Sequence, residues 1–291
     1  MILVALLYAI LAATFILAKH ALAYAQPCFL IGFRMTLAGT LLLGFSWVRG
    51  SFTLNCQDWW LLVRVALFHV YFSFILEFWA LQYLAALKTT LIYSLTPFIA
   101  ALLSYILLKE RLSTSKIMGI LIGLCGMVPI FMVSDGAVGE LFKITVPDVV
   151  LLGAVISGAY AWFLVKELLN KGYSLVVVNG VAMLLGGLLS FGTSAIFETA
   201  PMVSDWSQFL LWVGALILVS NIVVYNFYGW LLGRYSITFL TFAGFLCPSF
   251  AMLYDWLLLG GHLSMHTVIS LVLVTIGLYI FYRQELFKHR A

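Results

Sequence analysis

One strongly apolar predicted helix carries three polar side chains at helical spacing. His69, Ser73 and Glu77 lie at i, i+4 and i+8, so they share one face of an α-helix. An ionised glutamate in such surroundings is costly unless it faces the inside of a helix bundle or a water-filled cavity. The pattern therefore favours a site for a cation or a proton. The alternative is a structural ion pair of Glu77 with Lys88 or Arg34.

Aromatic and amide side chains on other predicted helices could complete such a site. Asn221, Tyr225 and Tyr228 lie at i, i+4 and i+7 on one helix, Tyr160 and Trp162 lie close together on another, and Tyr8 lies on the first. As a set, these side chains can stack on a flat ring or hold a cation over a π face. The alternative is that each ring only packs or lies at the level of lipid headgroups.

Two prolines lie near the middle of predicted helices. Pro97 and Pro248 each lack an N–H and should kink the helix, leaving the carbonyls of Tyr93 and Gly244 available to a ligand or to water. Asp255 lies on the same face as Gly244 and Pro248. Prolines also occur in membrane helices that bind no ligand.

Composition identifies the environment of these residues. Hydrophobic residues make up 64% of the 291 positions and charged residues only 9%, with a mean hydropathy of +1.13. A soluble domain carries about 25% charged residues. Apolar stretches of roughly 17 to 25 residues, each long enough to cross a bilayer, predict an all-α polytopic membrane protein with ten transmembrane helices. These helices lie at about 2–18, 27–48, 59–82, 87–108, 116–133, 148–165, 176–198, 208–232, 237–259 and 266–283.

A set of residues recurs 151 positions further along the chain. Trp79, Leu81, Pro97, Leu107-Leu108, Leu112-Ser113 and Gly126 recur as Trp230, Leu232, Pro248, Leu258-Leu259, Leu263-Ser264 and Gly277. Duplication with interrupted helices at matching places is typical of secondary transporters and points to their binding sites. We predict a first five-helix repeat at 1–134, a second at 148–283 and a basic tail at 284–291.

Basic residues predict the orientation. With a cytoplasmic N-terminus, eleven Lys and Arg residues fall on the cytoplasmic side and four, Lys19, Arg34, Lys88 and Lys143, on the outer side. The positive-inside rule then places both termini in the cytoplasm. Because each repeat has five spans, the second copy enters the membrane from the opposite side. Such inverted repeats have the geometry of alternating access.

Residues 85–128 resemble the end of an EamA module of the drug/metabolite transporter superfamily. They contain a proline in the penultimate helix, a Leu-x-Glu-x-Leu-Ser turn at 108–113 and a Gly-rich last helix. Phe33-Arg34 and Lys19 also fit this pattern. The resemblance implies a ten-helix metabolite transporter of the inner membrane. It does not identify the substrate, because members carry amino acids, nucleotide derivatives, sugars and other solutes.

Together these observations predict a secondary carrier of a small polar metabolite, driven by exchange or by a proton gradient. Glu77 and Asp255, with Arg34, Lys88 and the aromatic residues, suit a zwitterionic or cationic solute with a flat ring. S-adenosylmethionine or an amino acid would match this description. The alternative is an exporter of aromatic amino acids or organic cations.

Other function classes and partners are less consistent with the sequence. A membrane-embedded enzyme would need paired catalytic groups, for which Glu77 with His69, or Asp255 with His262, are the candidates. A channel or scramblase would need a continuous polar pore. The four cysteines occur singly and no nucleotide-binding or hydrolase motif is present, so we expect no metal, cofactor or nucleic acid. The expected partners are the substrate, the lipid bilayer and protons, with the protein a monomer or a homodimer.

Overall fold

The computed structural model describes residues 2–84, 89, 92–110, 113–133, 144–200, 202–259 and 265–288, apart from some side chains within helices. In this part of the chain the secondary structure is helical, and the one β-type pairing is an isolated antiparallel bridge between Ala25 and Val203. Six of the described helices are long and apolar enough to cross a membrane, and shorter apolar helices accompany them. The predicted all-α polytopic membrane fold is confirmed, while the count of ten spans stays a prediction.

The described helices follow the predicted apolar stretches to within a few residues at most of their ends. They are α1 Ile2–Leu22, α2 Pro27–Val48, α3 Trp59–Leu81, α4 Thr96–Leu108, α5 Thr114–Val133, α6 Val146–Asn170, α7 Leu175–Phe197, α8 Trp206–Leu232, α9 Ile237–Ala243, α10 Leu246–Leu259 and α11 Met265–Lys288. The predicted span 237–259 is therefore two helices, α9 and α10.

Both proline-containing helices are broken rather than kinked. Turns at residues 94–95 and 244–245 separate α4 and α10 from the helical residues before them. Pro97 and Pro248 then lie in the first turn of the helix that follows, where the missing N–H removes no helical hydrogen bond. The ring of Pro248 lies outside the described side chains. In place of the predicted kinks, short turns therefore interrupt the regular helices at matching places.

The carbonyls at these interruptions have partners. The Thr96 hydroxyl donates to the Tyr93 carbonyl at 2.5 Å. The Cys247 N–H donates to the Gly244 carbonyl at 2.9 Å. Each carbonyl expected to be available to a ligand or to water therefore already accepts one hydrogen bond from the short turn before the new helix.

The helices group into two compact units. Unit 1 contains residues 1–13, 84–149 and 235–291, and unit 2 contains residues 14–83 and 150–234. Each unit therefore draws helices from both halves of the chain. In unit 2 the main pair is α2 with α7, and in unit 1 it is α5 with α11. Within each pair the two helices hold equivalent places in the predicted repeats, as expected if the chain arose by duplication.

Glycines allow both pairs to approach closely. A Cβ on Gly187 of α7 would lie 2.6 Å from the backbone nitrogen of Thr36 on α2. A Cβ on Gly277 of α11 would lie 2.6 Å from the carbonyl oxygen of Gly119 on α5. Side chains at these positions would force the helices apart, so the glycines are packing residues of a membrane helix bundle.

The longest irregularities lie inside α3 and α8. Each contains a π-helical stretch, Ala66–Tyr71 in α3 and Ile217–Val224 in α8. Ala66 and Ile217 are 151 positions apart, the same offset as the repeated motifs. The Phe68 carbonyl in the first stretch accepts the hydroxyls of Ser73 at 2.6 Å and Ser157 at 2.8 Å. π turns often mark functional sites, so these two stretches direct attention to unit 2.

Candidate functional site

Arg34 is the most unusual residue of unit 2. It lies on α2 and only 3% of its surface is exposed. Its guanidinium carbon is 4.8 Å from the centroid of the Phe74 ring. Arg34 forms no ion pair with any described residue, and its Nε has no hydrogen-bond partner among them. A cation buried in a membrane helix without a protein counter-ion is a strong functional candidate.

Glu77 on α3 is the nearest described source of negative charge. Its carboxylate lies within electrostatic range of both the Arg34 guanidinium and the Tyr225 hydroxyl. The two charges do not form the direct Glu77–Arg34 ion pair considered from the sequence. The other partner considered, Lys88, lies outside the described residues.

His69 lies among aromatic rings. The His69 ring is 4% exposed, and its centroid is 4.4 Å from that of Trp162 on α6 and 5.0 Å from that of Tyr225 on α8. Trp162 in turn stacks on Tyr228 at 4.0 Å. Among the described residues, no group hydrogen-bonds the buried His69 Nε2.

Five predicted site residues thus come together from four helices of unit 2. We call Arg34, His69, Glu77, Trp162 and Tyr225 the unit 2 cluster. The cluster combines a cation, a carboxylate, an imidazole and aromatic faces within one packed unit. Such a set can pair with both charges of a zwitterion and stack against a planar ring.

Three other predicted residues of unit 2 have protein partners instead. The Ser73 hydroxyl is hydrogen-bonded to the Phe68 carbonyl, and the Tyr160 hydroxyl accepts a hydrogen bond from Arg64. Asn221, fully buried in the π stretch of α8, directs its amide nitrogen toward the sulfurs of Met35 at 2.9 Å and Met183 at 3.7 Å. The described contacts of these three residues fix the helices around the cluster.

The remaining predicted residues belong to unit 1. Tyr8 is 4% exposed and donates its hydroxyl to the Leu240 carbonyl at 2.5 Å. Tyr93 lies at the interruption before α4. Asp255 lies on α10, but its side chain is outside the described ones.

Two further aromatic residues lie beside the cluster. Tyr228 follows Tyr225 by three residues, and this spacing predicts both on one face of α8. Phe74 offers no such signal, because it is one of several aromatic residues along α3. Only the cation–π contact with Arg34 distinguishes it.

The two ends of unit 2 are closed by polar contacts. At one end Lys171 lies 2.6 Å from one Asp58 oxygen, and the Tyr173 hydroxyl donates to the other at 3.0 Å. The hydrogen bond from Lys171 lowers the pKa of Asp58 and raises the pKa of Lys171. At the other end Glu198 accepts the N–H groups of Cys28 and Phe29 at 2.6 and 2.8 Å, which caps α2.

Known proteins resemble this chain in fold and in sequence. A protein of known crystal structure superimposes with a TM-score of 0.74 over 96% of this chain and 94% of its own, at 21% identity, so the two share a fold. The S-adenosylmethionine/S-adenosylhomocysteine transporter of Chlamydia muridarum is 33% identical over 94% of this chain and 88% of its own length. Its namesake in Chlamydia trachomatis serovar L2 is 32% identical over 94% of this chain and 85% of its own.

The family model of the EamA-like transporter family matches residues 1–132 and 146–283. These two segments cover nearly the whole chain and fall in its two halves. The predicted resemblance and the prediction that the protein is not an enzyme are therefore confirmed. The chain belongs to the EamA-like transporter family.

Proposed function

We propose that this protein carries S-adenosylmethionine and S-adenosylhomocysteine across the inner membrane, exchanging one for the other. The observation that carries the proposal is the 33% identity, over 94% of the chain, to a transporter named for these two compounds. The family assignment supports the coarser statement that the substrate is a small molecule moved through the bilayer. Exchange would need no cofactor and no ATP.

The chemistry of the unit 2 cluster supports this substrate class. Both compounds carry a flat adenine ring and a zwitterionic amino-acid end, and S-adenosylmethionine has an additional sulfonium charge. Trp162 and Tyr225 offer aromatic faces to a ring or a cation. Glu77 supplies negative charge opposite a sulfonium or an ammonium group. We retain Tyr8, Tyr93 and Asp255 as substrate-binding candidates on the sequence prediction alone.

The proposed transport cycle is alternating access by two inverted five-helix repeats, with both termini in the cytoplasm. The pairing of loops in unit 2 supports this topology. The ten-helix order puts residues 25 and 203 on the outer side and residues 58 and 171 on the cytoplasmic side. Ala25 pairs with Val203, and Asp58 pairs with Lys171. The two members of each pair must therefore lie on the same side of the membrane, which agrees with this order.

Cysteine labelling tests the topology. In a protein whose four natural cysteines are replaced by serine, Ser51→Cys should react only from the cytoplasm and Ala200→Cys only from outside. Both residues are exposed, and cysteine is close to each in size. Labelling of both positions from the same side would contradict the inverted topology.

Counterflow in proteoliposomes tests the function. Vesicles loaded with S-adenosylhomocysteine should accumulate external labelled S-adenosylmethionine transiently, and protein-free vesicles should not. Repeating the assay with an imposed pH gradient separates exchange from proton coupling. The abundance of aromatic residues in unit 2 favours a second candidate class, the aromatic amino acids. Accumulation of labelled tryptophan in vesicles loaded with unlabelled tryptophan, with no accumulation of S-adenosylmethionine in vesicles loaded with S-adenosylhomocysteine, would establish that alternative.

A further inference from the structure

We propose that Arg34 binds the α-carboxylate of the substrate and thereby selects zwitterionic solutes over amines of the same shape. This inference rests on the proposed function and assigns one end of the substrate to one residue. It begins from the burial of Arg34, which leaves 3% of its surface exposed within a membrane-spanning helix.

The surroundings of Arg34 argue against a purely structural role. A structural arginine in a membrane helix is normally neutralised by a carboxylate or by several carbonyls. Among the described residues Arg34 forms no ion pair, and its Nε has no partner. Its described contact is the face of Phe74, which positions the planar guanidinium without occupying its N–H donors.

The opposite charges of Arg34 and Glu77 match the carboxylate and the ammonium group of an amino acid. Its planar fork of donors fits a carboxylate in a bidentate pair. The Glu77 carboxylate lies within electrostatic range of Arg34 without pairing with it directly. A zwitterion can therefore place its carboxylate at Arg34 while its ammonium group faces negative charge. An amine lacking the carboxylate would leave Arg34 without an anionic partner and would bind more weakly.

Binding to the purified protein tests the assignment. The probes are S-adenosylhomocysteine and its decarboxylated analogue, which keeps the adenosine, the sulfur and the amine. We expect the wild-type protein to prefer S-adenosylhomocysteine by about 10- to 100-fold, as for loss of a charge-assisted hydrogen-bonded pair. Arg34→Met should reduce this preference to about onefold by weakening S-adenosylhomocysteine alone. Arg34→Lys, which keeps the charge without the fork, should retain an intermediate preference.

A matched control lies on the same helix. Arg49 also rests on an aromatic face, 4.7 Å from the Phe45 centroid, but it is exposed at the end of α2. Arg49→Met should keep the full preference. Thermal unfolding should show no loss of stability in Arg34→Met, because it removes a buried charge that forms no ion pair with any described residue.

The possible outcomes separate the two proposals. A wild-type protein that binds S-adenosylhomocysteine without preference, or an Arg34→Met variant that keeps the preference, overturns the carboxylate assignment and leaves the transport function standing. A wild-type protein that binds neither adenosyl compound overturns the proposed substrate. The Arg34 assignment is then decided with tryptophan and tryptamine, and equal binding of those two would overturn it.

Discussion

α3 and α8 occupy equivalent places in the two halves of the chain, and they have the same backbone but different chemistry. Each begins at an aspartate, contains a π stretch and carries a tryptophan in its last turn, Trp79 or Trp230. The side chains between these landmarks differ. With the offset of 151, Glu77 on α3 corresponds to Tyr228 on α8, and His69 corresponds to Ser220.

The difference indicates how the site became specialised. Both π stretches widen a turn, but only the one in α3 carries an imidazole, followed by a carboxylate. The corresponding part of α8 supplies neutral groups, with Tyr225 beside His69 and Tyr228 stacked on Trp162. If the chain arose by duplication, the π stretch is a feature that both copies share, whereas the titratable groups occur on α3 and not at the corresponding places on α8. Recognition of a positive charge should then depend on α3 and ring recognition largely on α6 and α8.

The largest expected effect is on α3. Glu77→Gln keeps the shape of the side chain and removes its charge, so substrate affinity should fall by about 10- to 100-fold, or the pH dependence of uptake should disappear. Tyr228→Phe, the matched change on α8, should alter affinity by less than about threefold because it removes no charge. Uptake measured from pH 5.5 to 8.5 in proteoliposomes compares the two variants.

A structural role for Glu77 gives a different result. If Glu77 only pairs with Lys88, Glu77→Gln should lower the unfolding temperature, and Lys88→Met added to it should recover that loss. Full transport with unchanged pH dependence in a stable Glu77→Gln protein would contradict the functional role and direct attention to Asp255.

A second comparison concerns the π stretches. His69→Leu removes edge-to-face contacts with Trp162 and Tyr225, each worth about 0.5–1.5 kcal/mol, so the aromatic faces should shift and affinity should fall about tenfold. Ser220→Ala, at the equivalent place on α8, should leave affinity within about twofold. Binding isotherms of both variants and of the wild-type protein give the two losses of affinity, which are then compared. Equal losses would mean that the two stretches contribute alike and that the comparison fails.

Much of this arrangement could be predicted from sequence because it follows from composition and spacing. Apolar stretches of membrane length predict the helices. The spacing of Asn221 and Tyr225 by one helical turn, and the polar face of α3, indicate residues of the unit 2 cluster. The π stretches could not be predicted. A π turn has no residue signature of its own, and the one in α3 is accompanied by tertiary contacts such as Ser157 to the Phe68 carbonyl.

The proline positions show a second limit of sequence reasoning. A mid-helix proline kinks a helix only if the helix continues on both sides of it. Here turns at 94–95 and 244–245 end the preceding helical segments first. Local turn contacts, including Thr96 to the Tyr93 carbonyl, decide between a kink and a break. A hydropathy profile of the sequence does not predict such contacts.

A smaller effect is expected at these breaks. Pro97→Ala and Pro248→Ala each restore an N–H that could extend the following helix back across the turn. The rate of exchange should then fall by a few fold while the protein stays folded, because interrupted helices are the moving parts of such carriers. Counterflow rates and thermal unfolding report the two quantities separately. Wild-type rates in both variants would show that the breaks do not limit transport.

The smallest effects are expected at the starts of the two helices, where the aspartates that precede α3 and α8 have different roles. Asp205 caps α8 by accepting the N–H groups of Ser207 and Gln208, so Asp205→Ala should lower the free energy of unfolding by about 0.5–2 kcal/mol. Asp58 begins α3 without capping it and instead binds Lys171 and Tyr173. Because Lys171 is exposed and Asp58 is only partly buried, their ion pair is weak, and Asp58→Asn should lower the unfolding temperature less than Asp205→Ala does.

The pH dependence at Asp58 has a definite sign. The pKa of Asp58 is lowered in the folded protein by the hydrogen bond from Lys171, so its contribution is present above the usual carboxyl pKa of about 3.9 and is lost as pH falls through the folded value. The pKa of Lys171 is raised, so the same pair weakens again as pH rises through that value. The difference in unfolding temperature between wild type and Asp58→Asn should therefore be constant from about pH 5 to 9 and shrink on both sides. A difference that does not begin to shrink as the pH falls below about 3.9 would mean that Asp58 acts through the shape of its hydrogen bonds and not through its charge.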